Sequence, residues 1–365
     1  MSVIANISTA VPAYKHKQAD IAEYMNELFD FPEQKKRRLR ALYATSAIET
    51  RYSVLPDYSL PISKGTFFSK AKSSPDVEAR MKIYTDNALS LSVEAINKCV
   101  KGKIKLADIT HLITVSCTGM YAPGLDVDIV QWLKLNATIN RTSINFMGCY
   151  AAIHALKQAN AICKSNPDAM VLIVCIELCS IHFQKKDDID NITSNLLFAD
   201  GASAALIVPD KTAAKKKMHG FKISGFYSQV DLNGKADMVW QLSSTGFLMT
   251  LSKDIPQLIE QSIKKLFTEA ARKLKIKKQD ITHWAIHPGG KKILSVIQKE
   301  LGLDASDLES SYKTLKNYGN MSSPTILFVL KDMMDNKVKT KKPEKTFCVA
   351  FGPGLTMESA ILENV

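Results

Sequence analysis

The sequence predicts an α/β layered fold built from a duplicated unit, and three observations carry that prediction. Segments with helical periodicity alternate with short β-branched runs. One segment resembles another at an offset of 172 residues (Asp108 to Asp280). The chain has 365 residues, 46% of them hydrophobic, which suffices for one large core or two medium ones.

The alternation assigns most elements. Strands are expected at HLITVS (111–116), TSINF (142–146), MVLIVCIEL (170–178), SAALIV (203–208), HWAIH (283–287) and TFCVAF (346–351). These runs are short, apolar and rich in branched residues, as buried strands are. Helices are expected over Asp86–Val100, Ala151–Lys164, Ile255–Leu274, Lys292–Leu301 and Pro324–Asp335. Ser322 and Ser323 precede Pro324, a pattern that fits N-cap chemistry with proline opening a helix.

The repeat gives these elements an order. ADITHLITVSCTG (107–119) resembles QDITHWAIHPGG (279–290), and each follows an amphipathic helix. The same offset carries Cys149 to position 321, beside Asn320, and carries VLIVC (171–175) to the edge of TFCVA. Both halves therefore read helix, strand, loop, helix, strand. The polar, basic stretch VPDKTAAKKKMHG (208–220) separates them. This places a first half at 1–217, carrying Cys149, and a second at 218–365, carrying His287 and Asn320.

Composition excludes several classes. No run of about 18 apolar residues predicts a membrane span, and the start MSVIANISTAVPAYKHK lacks the parts of a signal peptide. Seven cysteines, mostly in apolar runs (Cys99, Cys163, Cys175, Cys348), read as reduced thiols of a cytoplasmic protein. Cys175 and Cys179 have no second Cys/His pair to complete a metal site, so no metal is expected. The net charge of +12 comes from clusters at 35–40, 215–217, 272–278 and 337–345. No nucleic-acid motif accompanies them, and solvated surface is their ordinary reading.

Cys149, in INFMGCYAAIHAL, reads either as a small buried hydrophobe or as a nucleophile at a helix N-terminus. The duplication bears on that choice. Cys149 and Asn320 become equivalent points of two halves packed about a pseudo-twofold axis. His287, at the end of HWAIH and before the turn residues PGG, comes to the same interface. Thiol, imidazole and amide then form the pattern of a covalent acyl-enzyme.

MGCYAAIHAL, WAIHPGGKKIL, NYGNMSSPTILFVL and AFGPGLTMESAIL resemble the type III polyketide synthases, the chalcone-synthase-like family, in order and spacing over nearly the whole chain. The resemblance implies a thiolase fold, two αβαβα halves forming a five-layered core, and a homodimer. It implies coenzyme A thioesters (acyl-CoA and malonyl-CoA) as substrates, no tightly bound cofactor and no acyl carrier protein. By position, Cys149 is the nucleophile, His287 its partner that keeps it as thiolate, and Asn320 a further donor to the malonyl thioester oxygen. Phe198 matches one gatekeeper phenylalanine, while Met249 stands where the second is expected. Cys117, Thr118, Cys179, His182, Ser194, Ser322 and Pro353 fall where the family lines its cavity. Arg38 and Arg40, in KKRRLR, match the region that reads CoA phosphates, and Gly289 and Gly290 would approach CoA through backbone. Ala122 stands where plant members place a methionine that reaches the partner subunit.

Three rivals carry different expectations. A ketoacyl synthase III would condense once and use a carrier protein, and FGPGL argues against it. A thiolase needs a second cysteine in the C-terminal glycine loop, which FGPGLT lacks. A non-catalytic, basic nucleic-acid-binding protein would show salt-sensitive binding and indifference to Cys149→Ala.

Overall fold

The structure is a computed structural model that describes residues 1–68, 74–336 and 344–365. Most of the basic run at 337–345 lies outside the described residues.

In chain order the first half contains β1 (Ser2–Ala10), β2 (Tyr14–Lys17), α1 (Gln18–Phe29), α2 (Glu33–Ala44), β3 (Thr50–Ser53), α3 (Val77–Val100) and β4 (His111–Ser116). It continues with α4 (Leu125–Leu133), β5 (Asn140–Asn145), α5 (Ala151–Ser165), β6 (Val171–Leu178), α6 (Ile189–Leu197), β7 (Asp200–Pro209) and α7 (Asp210–Lys215). Then follow β8 (Phe221–Val230), β9 (Met238–Ser243), β10 (Gly246–Leu251), α8 (Ile255–Leu274), β11 (Ile281–Ile286), α9 (Lys291–Leu301), α10 (Glu309–Tyr318), α11 (Thr325–Asp335), β12 (Lys345–Gly352) and β13 (Thr356–Asn364).

The sheet order shows the duplication directly. It runs β11-β12-β13-β8-β1-β7-β6-β4-β5. Reading outward from the centre, β1-β7-β6-β4 matches β8-β13-β12-β11. In each half the outer pair is parallel (β4 with β6, β11 with β12) and the inner pairs are antiparallel. The halves join where Ser2–Ile4 pairs antiparallel with Phe221–Ile223.

Three cores account for the layers. One packs α1 and α3 on the outer face of the first half-sheet. One packs α8 and α9 on the outer face of the second. The middle core buries α5 and α11 together against strands of both half-sheets. Helix, sheet, helix pair, sheet, helix is the five-layered thiolase fold. It explains the composition of α5: AAIHALKQANAICKS meets protein on most sides, so small apolar residues replace a charged face. The outer helix α9 is one-sided, with Ile293, Leu294, Ile297 and Leu301 buried at helical spacing.

Two local expectations are corrected. The helix expected from Asp86 begins at Val77, where the Asp76 carboxylate accepts the Ala79 N–H at 2.9 Å. Its first turns lack an apolar stripe because the buried residue there is Arg80, which donates to the Ile181 and Phe183 carbonyls. Ser322 and Ser323 do not cap α11. Ser323 Oγ donates instead to Glu177, and Pro324 holds the N-cap position without a side-chain bond.

Candidate active site

The Cys149 corner is made by backbone that only a few residues tolerate. Past β5 the chain turns through Phe146 (φ 58°) and Gly148 (φ 83°), and α5 starts two residues after Cys149. Gly148 is required twice over. Its φ is left-handed, and a Cβ there would lie 2.3 Å from Pro353 Cδ. The neighbouring Gly352 has a similar role: a Cβ there would lie 2.6 Å from Tyr150. The FGPG segment is therefore the surface against which the cysteine corner packs. Burial pushes the Cys149 thiol up to about 11, and contacts with Ser322 and Asn320 oppose this in part.

The second half supplies two facing groups. His287 follows β11, held by its backbone N–H to Val349 O at 2.9 Å. Its ring is buried and neither nitrogen has a hydrogen-bond partner among the described residues. Burial lowers its pKa to about 3. Asn320 Oδ1 accepts the Ser322 N–H at 2.8 Å and lies 4.0 Å from Cys149 Sγ, while Nδ2 points to Gly289 O at 3.4 Å. The Asn320 backbone bridges to Phe198, with N–H to Leu197 O and C=O from Ala199 N–H, both 2.9 Å. The thiol's side-chain contact is with Asn320, and burial favours the neutral form of both Cys149 and His287.

Cys149, His287 and Asn320 line one cavity of about 650 Å³. Cys117, Thr118, Cys179, His182, Ser194, Phe198, Met249, Ser322, Pro353, Gly289 and Gly290 line it too. Arg38 and Arg40 do not. Arg40 forms a two-pronged ion pair with Glu23 at 2.6 and 2.8 Å. Arg38 is exposed on α2, one turn before Leu42, and Leu42 does border the mouth. The cations that line the mouth are Lys253, Lys291 and Lys292. Sequence reasoning missed them, along with Trp240 and Phe247 of the β9–β10 hairpin. The signals were present: lysines directly after PGG, and a Ser-Thr-Gly turn between two short runs, VWQLS and FLMTL.

Glu177 lies behind the thiol. Its carboxyl accepts from Cys117 N–H (2.9 Å), Thr118 Oγ1 (2.7 Å) and Ser323 Oγ (2.6 Å), so it ties the two halves together beneath the cavity. Burial raises its pKa to about 7. Two other histidines have partners away from the cavity: His16 is buried on Ser59 and the Leu55 carbonyl, and His283 meets Glu344.

The chalcone and stilbene synthase N-terminal domain matches residues 1–211, and the C-terminal domain of the same family matches residues 228–365. The chain belongs to the type III polyketide synthase family. It is 32% identical over 366 residues to the alpha-pyrone synthesis polyketide synthase-like Pks18 of Mycobacterium tuberculosis, covering 100% of this chain and 92% of that one. The crystal structure of the C-terminal type III polyketide synthase domain of Steely1, a type I/III hybrid from Dictyostelium, superposes with a TM-score of 0.90 at 27% identity, covering 100% and 99% of the two chains. PKS-I from the brown alga Ectocarpus siliculosus gives 0.90 at 28% identity, covering 100% and 98%. The protein is thus a polyketide synthase of the acyltransferase type. Among the described residues no helix is long and apolar enough to cross a membrane.

Proposed function

We propose that this synthase takes an acyl group from acyl-CoA onto Cys149 and extends it repeatedly with malonyl-CoA, without an acyl carrier protein. The convergence of Cys149, His287 and Asn320 on one buried cavity carries the reading. The thiol loses its proton to His287 as sulfur attacks the starter thioester, and CoA leaves as the thiol with that proton. Malonyl-CoA then loses CO2, and the electron pair of the broken C–C bond becomes an enolate. Its oxygen needs preorganised donors, which His287 and the Asn320 amide supply. The unbonded ring nitrogens of His287 are free for that purpose. The enolate carbon attacks the Cys149 thioester and the C–S bond breaks, freeing the Cys149 sulfur and leaving the extended chain on CoA; that sulfur then attacks the new thioester, CoA leaves, and another round begins. Cyclisation to a pyrone, a resorcinol or another small aromatic releases it.

Phe198 and Met249 stand as the gate between the CoA mouth and the cavity, and flexible Met249 widens the range of acyl shapes. Lys253, Lys291 and Lys292 hold the CoA phosphates at the mouth, with Arg38 further out and the Gly289–Gly290 backbone beside the pantetheine. The synthase needs no tightly bound cofactor or metal. It works as a cytoplasmic homodimer of chains whose halves span 1–217 and 218–365. The exposed Ala122 is too short to reach a partner's cavity as a methionine would.

The deciding assay is carrier-free: protein with labelled malonyl-CoA and acyl-CoAs from acetyl to palmitoyl length, products read by mass spectrometry. Products built from several malonyl units are expected. Silence until carrier protein is added, followed by a single condensation, would replace this reading with a ketoacyl synthase III. Met249→Phe should shift starter preference, and an unchanged product profile would remove Met249 from the gate.

A further inference from the structure

Phe198 and Asn320 line one cavity from different halves of the chain, and their backbones meet in a single bridge. Phe198 is the residue that ends α6. The last carbonyls of a helix have no partner inside it, and buried ones need donors from elsewhere. From Asn195 on, each of them has one. Leu197 O accepts the Asn320 N–H at 2.9 Å. Leu196 O accepts from Gln18 Nε2 at 2.9 Å. Asn195 O accepts from Arg51 Nη1 at 2.6 Å, and Phe198 O accepts from the same nitrogen.

Arg51 is the hub of this arrangement. It is buried on β3, and its Nε–H donates to Gln18 Oε1 at 2.9 Å. The two side chains that serve the helix end are thus tied to each other. A guanidinium suits the place, because several donors diverge from one rigid plane and the negative end of the helix dipole favours a cation. The chain before Asn320 packs on the same side chain. Gly319 has φ 68°, and a Cβ there would lie 2.9 Å from Arg51 Cδ and 3.0 Å from Leu197 O. Arg51 therefore meets the backbone on both sides of the bridge without lining the cavity itself.

We propose that Arg51 is a positioning residue for chain extension: it fixes the end of α6 and the loop before Asn320, and so aims the Asn320 amide and the Phe198 ring at the bound malonyl thioester. This rests on the synthase reading above and assigns a further residue to its extension step. Arg51 moves no proton and meets no substrate. Loading of the starter uses Cys149 and His287. Among the described residues, the hydrogen bonds of Arg51 reach neither the Cys149 corner nor the end of β11. Extension should depend on Arg51, and loading should not.

The test compares these two rates in Arg51→Met, Arg51→Lys and the parent enzyme. Loading is read by rapid quench and intact-protein mass as acyl-enzyme formed from one acyl-CoA alone. Extension is read as kcat for release of labelled CO2 from malonyl-CoA. In Arg51→Met extension should fall about 10²-fold, the size of loss that a small misplacement of a reacting group brings, while loading stays within about threefold of the parent. Arg51→Lys keeps a cationic donor at the helix end and should recover part of the extension rate. A merely structural role predicts a different result, in which loading, extension and the fraction of Cys149 labelled by iodoacetamide fall together. That result, or an unchanged extension rate in a folded Arg51→Met variant, overturns the proposal. If Arg51→Met does not fold, Gln18→Met, which frees Arg51 Nε and the Leu196 carbonyl, carries the test at smaller amplitude, and an unchanged ratio of extension to loading there overturns it. A parent enzyme that neither loads an acyl group nor makes polyketide from CoA thioesters overturns the synthase reading instead.

Discussion

The two halves present the same topology to the cavity and opposite chemistry. In the first, the loop ahead of the central helix is tight: Gly148 at φ 83° sets Cys149 two residues before α5. In the second, the loop is longer, Ser322 takes the left-handed turn at φ 57°, and Asn320 lies five residues before α11. The short loop puts a thiol at the end of a helix whose first N–H groups have no side-chain cap. The longer one brings an amide back over that thiol and lets its backbone bridge to Phe198. On the proposed reaction, a duplicated frame thus yields one nucleophilic side and one stabilising side through a difference of a few loop residues.

Substitutions on the two sides should separate these roles. Cys149→Ala should lower product formation by about 10⁴-fold or more, with an unchanged circular-dichroism spectrum. Asn320→Ala should cost less, about 10²- to 10³-fold in kcat, and should slow malonyl-CoA decarboxylation while iodoacetamide still labels Cys149. Equal losses in all of these readouts would erase the division of labour. Gly148→Val should act through folding: the left-handed φ and the Pro353 contact should remove about 1–3 kcal/mol of stability, read by denaturant titration. An unchanged midpoint would show that the corner does not depend on its glycine.

A pH effect tests the seam between the halves. Burial raises the Glu177 carboxyl in the folded state to about 7 from an ordinary value of 4.5. The folded protein therefore holds this proton more tightly than the unfolded chain does. Its contribution is fully present below pH about 4.5 and is lost as pH rises through about 7. Over that window the melting temperature of the parent should fall relative to that of Glu177→Gln. Parallel curves for the two would mean that the carboxyl is not protonated in the fold. The smallest effect belongs to Arg40→Ala. An exposed ion pair contributes little to stability, so stability and the KM for acyl-CoA should barely move, whereas Lys292→Ala should raise that KM. A large KM change for Arg40→Ala alone would return the phosphate role to it.

Much of this was legible in residue order. The repeat at 172 residues corresponds to the mirrored strand order on either side of β1 and β8. The cysteine corner, the histidine before PGG and the asparagine loop could be read because turn residues and helix starts leave local marks. The β9–β10 hairpin left a turn signal but not its destination, because Trp240 and Phe247 look like ordinary strand aromatics until the hairpin is docked on the cavity. Arg38 and Arg40 fall outside the cavity lining for a related reason. Charge density marks α2 as a basic helix, but which face meets the cavity depends on packing, and Glu23 lies 17 positions from Arg40 in sequence.

The sequence by itself determined the layered α/β architecture, its duplication, and the three groups that meet in the cavity. Periodicity, loop glycines and motif order are local properties, and they survive without coordinates. Only the tertiary structure decided which residues line the cavity, the identity of its mouth cations, and the burial that favours the neutral forms of the thiol and imidazole. Those depend on distances between segments far apart in the chain and on the exclusion of water between them, which no single stretch of sequence encodes.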